Sequence, residues 1–124
     1  MIMKRLLLAL LLVALAGPSL ADTLKISAKE LHAFYEANEI KADSMLKDKW
    51  FFVHGQVAEV DQFMGAPVVY LYVDDMTVHN VRCMFEKSAR AQVADLVKGQ
   101  LITVKGTCHG MTLTAVTMVD CELQ

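Results

Sequence analysis

Residues 88–99 read S-A-R-A-Q-V-A-D-L-V-K-G, a segment of helical period inside a chain whose flanks carry the period of strands. Ala89, Val93, Leu96 and Val97 recur at the spacing that gathers apolar side chains on one helix face. Gly99 suits the left-handed position that closes a helix. The place of this helix among the strands decides the topology.

Before it, W-F-F-V-H-G-Q-V-A-E-V at 50–60 is rich in aromatic and β-branched residues and predicts one long strand, bent at Gly55. M-G-A-P at 64–67 reads as a turn and V-V-Y-L-Y-V at 68–73 as a second strand. D-D-M-T at 74–77 breaks the chain before V-H-N-V-R-C-M-F at 78–85, a third strand of alternating character. After the helix come L-I-T-V-K-G-T at 101–107, a turn in H-G-M-T at 109–112, and L-T-A-V-T-M-V at 113–119. Five short strands with a helix between the third and fourth is the connectivity of the OB-fold, a five-stranded Greek-key barrel. The expected class is therefore mainly β with helices.

Toward the amino terminus, S-A-K-E at 27–30 has the layout of a capping box, and Leu31, Phe34 and Tyr35 follow at helical spacing, predicting a helix over 28–38. Ile40, Ala42, Met45 and Leu46 suggest a second short helix, ended by K-D-K before Trp50. Residues 22–48 then form a helical extension and 49–124 the barrel, together one domain over 22–124. The chain opens M-I-M-K-R, continues with an apolar run and reaches G-P-S-L-A, the three-part layout of a secretory signal peptide over 1–21. The run is shorter than the roughly 20 residues of a membrane span. Ser19 and Ala21 supply the small-x-small pattern for cleavage after Ala21. A periplasmic or secreted protein is expected, without a membrane span once the leader is gone; an uncleaved amino-terminal anchor is the alternative.

Loss of Lys4 and Arg5 with the leader takes the net charge from −2 to −4. Proteins that live by neutralising phosphates show a basic balance or stripe, so the charge argues against nucleic acid as the partner. His32, His54, His79 and His109 have no metal-ligand spacing, and the chain lacks G-x-S-x-G and phosphate-cradling glycine loops. Asp74 and Asp75 read as a solvated turn. No cofactor, metal or catalytic group is expected.

The mature chain resembles the exported bacterial family called tRNA_anti-like. The residues that carry the resemblance are L-x-x-F-Y-E-A-N-E-I-K-A-D at 31–43, K-W-F-F-V-H-G-Q-V at 49–57, V-R-C-M-F at 81–85, L-V-K-G-Q-L-I-T-V-K-G at 96–106 and V-D-C at 119–121. The resemblance implies an OB-fold and an exported location, and the family name carries a nucleic-acid-binding implication.

In OB connectivity the third and fifth strands lie side by side and parallel, which brings Cys83 near Cys121 and makes a disulfide between them the expected pairing. Strict alternation opposes it: Val116 and Met118 share one face, leaving Cys121 on the other unless a bulge turns it. The alternative is two buried thiols that never meet. Cys108, placed near a hairpin tip at 109–112, is the candidate free thiol, exposed beside His109 and about 25 Å along the hairpin from Cys121; it would serve no catalytic role or pair between chains.

If Val69, Leu71 and Val73 point inward, Tyr70 and Tyr72 point out, joined on the third strand by Arg82 and Met84. These four are the candidate ligand-binding residues, on the face that OB-folds commonly use. The competing reading lays the amino-terminal helices across this face and makes the tyrosines a second small core. The function expected is an exported, non-catalytic binding module for a protein or small oligomeric ligand of the cell envelope, as a monomer or small homo-oligomer. A structural or oligomeric envelope subunit is the alternative, and nucleic-acid binding a further one.

Overall fold

The computed structural model describes residues 24–74 and 80–124. The leader with its cleavage site, Asp75, His79 and the first residues expected for the third strand lie outside them.

A short strand that the sequence reading did not anticipate, β1 (Lys25–Ser27), opens the described chain and pairs in parallel with Phe52–His54. Ser27 ends it and caps α1 (Ala28–Ala37): its Oγ accepts from the Glu30 amide at 3.0 Å, and its hydroxyl donates to Glu30 Oε1 at 2.8 Å. Asn38 closes α1 and, through Oδ1 accepting from the Lys41 amide at 3.0 Å, starts α2 (Glu39–Leu46). Side-chain oxygens at these two positions satisfy amides that the helices cannot.

The long strand β2 (Trp50–Phe63) serves two neighbours. Trp50–Gln56 pairs with β5 (Leu101–Thr112), and Val57–Phe63 pairs with β3 (Ala66–Tyr72). The strand changes partner between Gln56 and Val57, just after Gly55, and a bulge follows at Ala58. Gly55 has a second job: a Cβ there would stand 3.2 Å from that of Ala28, so glycine lets α1 approach the strand. Met64 and Gly65, both at positive φ, make the two-residue turn into β3.

β3 pairs antiparallel with β4 (Asn80–Phe85), β4 pairs parallel with β6 (Ala115–Leu123), and β6 pairs antiparallel with β5. Because β5 also pairs with β2, the ring β2-β3-β4-β6-β5 closes, with β1 as an added edge strand. This is OB connectivity, as the placement of the helix at 88–99 predicts. Val53, Val69, Leu71, Val81, Cys83, Val104, Val116 and Met118 are all fully buried in its interior.

Two expectations about the second half fail. The segment at 88–99 forms a 3₁₀ turn (Lys87–Ala89) and only one and a half turns of α3 (Arg90–Ala94). Val93 is buried, but Val97 lies beyond the helix and is 63% exposed. Gly99, at positive φ, sits in the following turn, where its amide donates to the Val57 carbonyl at 2.7 Å. The other miss is the last hairpin. It turns at Leu113 and Thr114, and Gly110 marks a bulge within β5. Cys108 accordingly lies opposite Met118, in mid-strand.

Candidate ligand-binding site

Val69 and Leu71 on β3, and Val81 and Cys83 on β4, have no exposed surface. Alternation then sends Tyr70, Tyr72, Arg82 and Met84 to the outer face, and all four are partly exposed. The register sets Tyr70 opposite Arg82 and Val68 opposite Met84. Next in line are Glu59 and Asp61 on β2 and Thr117 on β6.

Three of the four expected residues meet. Tyr70, Arg82 and Met84, with Asp61, Gln62, Phe63 and Val68, line a cleft of about 320 Å³. Tyr72 stands apart, in a groove of about 510 Å³ shared with Ser27–Lys29 and His54–Gln56. The separation follows from β2, whose pairing with β3 ends at Val57 and Leu71 before it crosses to β5. Tyr72 therefore stands beyond the β2–β3 pairing, beside the start of α1 and the part of β2 that pairs with β5.

No residue of α1 or α2 lines the cleft. The helices do not line the cleft at Tyr70; they close an end of the barrel, packing on β1 to β6 and least on β3, and Leu31 and Tyr35 are buried there. His32 marks that end by donating from Nε2 to the Thr114 carbonyl, 2.9 Å away at the last hairpin turn.

Arg82 is the chemical centre of the cleft. Nη2 donates to Thr117 Oγ1 at 3.0 Å, which fixes the guanidinium against the sheet, while Nε is buried without a hydrogen-bond partner. A buried donor left unpaired costs on the order of 1–3 kcal/mol. Phe63, 61% exposed, forms an apolar lip. Arg90 Nη1 donates to Gln62 Oε1 at 2.9 Å and to the Gly65 carbonyl at 2.6 Å, bracing the hairpin that carries the lip.

Asp61, Gln62, Phe63 and the brace from Arg90 escaped the sequence reading. Counting back from a two-residue turn at Met64 and Gly65 would have paired Phe63 with Ala66 and Asp61 with Val68, which is the observed register.

Cys83, Cys108 and Cys121 are all buried free thiols in the structure, the expected Cys83–Cys121 bond not being formed, and Cys108 is placed otherwise than expected. Cys108 is not at an exposed tip: it is fully buried, and its Sγ hydrogen-bonds the Tyr35 hydroxyl at 3.3 Å. His109, its neighbour in sequence, points the other way and is exposed. Burial pushes the Cys108 thiol above its ordinary pKa and does the same, more strongly, to the Tyr35 hydroxyl. That is the environment of an inert thiol. Among the described residues no three histidine, cysteine or carboxylate side chains converge as a metal site would need.

The fold has solved counterparts. A Klebsiella pneumoniae lipoprotein, whose name proposes that it binds nucleic acid, is similar over 87% of this chain and 97% of its own, with a TM-score of 0.69 at 19% identity. A Leishmania major protein proposed by name to be an aspartyl-tRNA synthetase is similar over 82% of this chain but 20% of its own, with a TM-score of 0.56 at 11% identity. At such identities the likeness is one of fold. No curated protein matches the chain by sequence. The model of the tRNA_anti-like family matches residues 14–123, and with an OB barrel closed as that resemblance implied, the chain belongs to the tRNA_anti-like family.

Proposed function

We propose that the protein is an exported, non-catalytic binding module whose ligand, a protein segment or a small oligomer of the cell envelope, seats in the Tyr70–Arg82–Met84 cleft. One observation carries the reading: a buried Arg82 Nε without a partner, beside a partly exposed tyrosine ring. The matching ligand presents an acceptor, a carbonyl or carboxylate, next to a flat or apolar group that lies on Tyr70 and Met84. A volume of about 320 Å³ accommodates one residue-sized group rather than a long chain. Asp61 in the cleft and Glu59 beside Tyr70 disfavour a polyphosphate backbone. Export is supported by the leader-like amino terminus, and the Klebsiella counterpart is a lipoprotein.

The test is an NMR titration of the isotope-labelled protein with three probes: an acetylated tyrosyl dipeptide, a short peptidoglycan-type oligosaccharide and oligothymidylate. Shifts confined to Gln62, Tyr70, Arg82 and Met84 with the peptide or the saccharide, lost in Tyr70→Ala, are the expected result. Saturable binding of oligothymidylate across β3 and β4, weakening steeply with salt, would replace this reading by nucleic-acid binding.

A further inference from the structure

Strict alternation along β6 would turn Cys121 away from the interior that Val116 and Met118 face, and the chain breaks alternation just before it. Asp120 takes φ +52, a left-handed value uncommon outside glycine. Against β4, Cys83 lies opposite Met118 and Phe85 opposite Cys121, so three steps on β6 match two on its neighbour. The same excess recurs against β5, where Thr107 faces Val119 and Lys105 faces Glu122. This is a β-bulge, and a bulge re-aims the side chain beside it. It leaves Cys121 4% exposed, in one cluster with the fully buried Cys83.

Space for the sulfur comes from β5. A Cβ on Gly106 would stand 2.9 Å from Cys121 Sγ, closer than real side chains come. The register sets the two cysteines diagonally across the β4–β6 pair, with Phe85 opposite Cys121 and Met118 opposite Cys83, so the bond forms with the bulged end of β6 drawn toward Cys83, to the Cα separation of up to about 7 Å that a disulfide spans. The Cys121 thiol is a hydrogen-bond partner of Cys83, and this contact, ahead of burial, holds the Cys83 thiol well above its ordinary pKa. The two sulfurs differ in access. Cys121, with Ser88, Gln92, Asp120 and Glu122, lines a cleft of about 530 Å³ between β6 and the 3₁₀–α3 segment.

We propose that Cys83 and Cys121 form an intramolecular disulfide, made through this cleft, with Cys121 as the entering sulfur and Cys83 as the one that closes the bond. The oxidant is a small or protein disulfide. The Cys121 thiolate attacks one of its sulfurs, forming a mixed disulfide and expelling a thiolate. Cys83, deprotonated, then attacks Cys121 Sγ and expels the second thiolate. The two cysteines give up two protons and two electrons, and the oxidant leaves as two thiols. Cys108 takes no part, being bonded to Tyr35 and separated from Cys83 by Met118 in the register. The proposal does not depend on the ligand cleft.

The full chain, purified reduced, is treated with oxidised glutathione, quenched in acid, denatured, alkylated and mapped by mass spectrometry. A Cys83–Cys121 cross-linked peptide is expected, with Cys108 alone of the three cysteines alkylated and Tm raised by roughly 10 °C. Cys83→Ser should trap glutathione on Cys121 as a lasting mixed disulfide, and Cys121→Ser should trap none on Cys83. Cys108→Ser should keep the cross-link. Folded protein that retains all three thiols at equilibrium, a bond that includes Cys108, or faster trapping on Cys83 than on Cys121 would each overturn the proposal.

Discussion

The two ends of the barrel are closed by different means. At the end where β3 finishes and β6 begins, α1 and α2 supply Ala28, Leu31, Tyr35, Ala42 and Leu46, all buried in the main core. At the other, where β3 begins and β6 finishes, the short α3 supplies Val93, with Ala89 and Leu96 only partly buried. An OB barrel leaves an opening at each end, and apolar area is the usual way to fill it, at about 25 cal/mol per Å². This chain spends its helical residues on one opening. The other is held by Val93, with Ala89 and Leu96 beside it, and by the Arg90 brace on the β2–β3 hairpin. The candidate ligand cleft shares that hairpin with the more sparsely filled end.

Truncation should therefore be felt unequally. Leu31→Ala removes a fully buried side chain that α1 sets into the core, and a loss of about 3 kcal/mol is expected from the transfer and cavity terms. Val93→Ala, at the other end, removes less and leaves a site that a short helix can settle into; a loss of about 1.5 kcal/mol is expected. Urea unfolding of both variants measures the contrast, and equal losses would mean that the two ends are equally filled.

The sequence showed the ring but not its seams. The connectivity was readable because one helical period falls between strand periods at 88–99, and because aromatic and β-branched residues crowd into 50–60. A glycine has more than one use, and one of them was misread: Gly110 marks a bulge where a turn was expected, while Gly55, at the expected bend, also permits the close approach of α1. The true hairpin turn uses Leu113 at positive φ, a residue that carries no turn signal. β1 was invisible because three residues cannot show a period. Val97 fits the apolar face of an ideal helix, but the chain leaves the helix at Ala94. Among the site residues, alternation alone placed Tyr70, Arg82 and Met84 together. It could not foresee that β2 departs before Tyr72. The bulge that turns Cys121 inward was needed on paper before it was seen, but nothing in V-D-C announces it.

The buried protons offer a pH test that bears on both ends. Tyr35 and Cys108 belong to the α1–α2 end, Cys83 to the pair with Cys121, and all three are raised in the fold. These are acids that are neutral when protonated, so a raised value means that the unfolded chain loses the proton first. Stability is then level below the ordinary thiol value of 9.0. It falls as pH climbs above that, by up to about 1.4 kcal/mol per unit for each group, until the folded group itself ionises. Reduced protein should hold its urea midpoint from about pH 6 to 8 and lose it steeply above about pH 9. In the oxidised protein Cys83 no longer titrates and the fall should be shallower. A midpoint that stays level in the reduced protein well past the ordinary thiol range would show that these groups are not held protonated by the fold.

The smallest effect separates capping from packing. Ser27 is the joint between β1 and α1, and its Oγ accepts from the Glu30 amide; α3 starts from Ala89, which has no side-chain oxygen to offer. Ser27→Ala should cost about 1 kcal/mol, less than Leu31→Ala, because tertiary contacts already fix α1 on the barrel and the cap adds only one satisfied amide. The unfolding transition should stay equally steep, since the surface exposed on unfolding is unchanged. A loss as large as that from Leu31→Ala, with a shallower transition, would mean that the cap holds the whole α1–α2 plug in place, and the well-filled end would then depend on one hydroxyl.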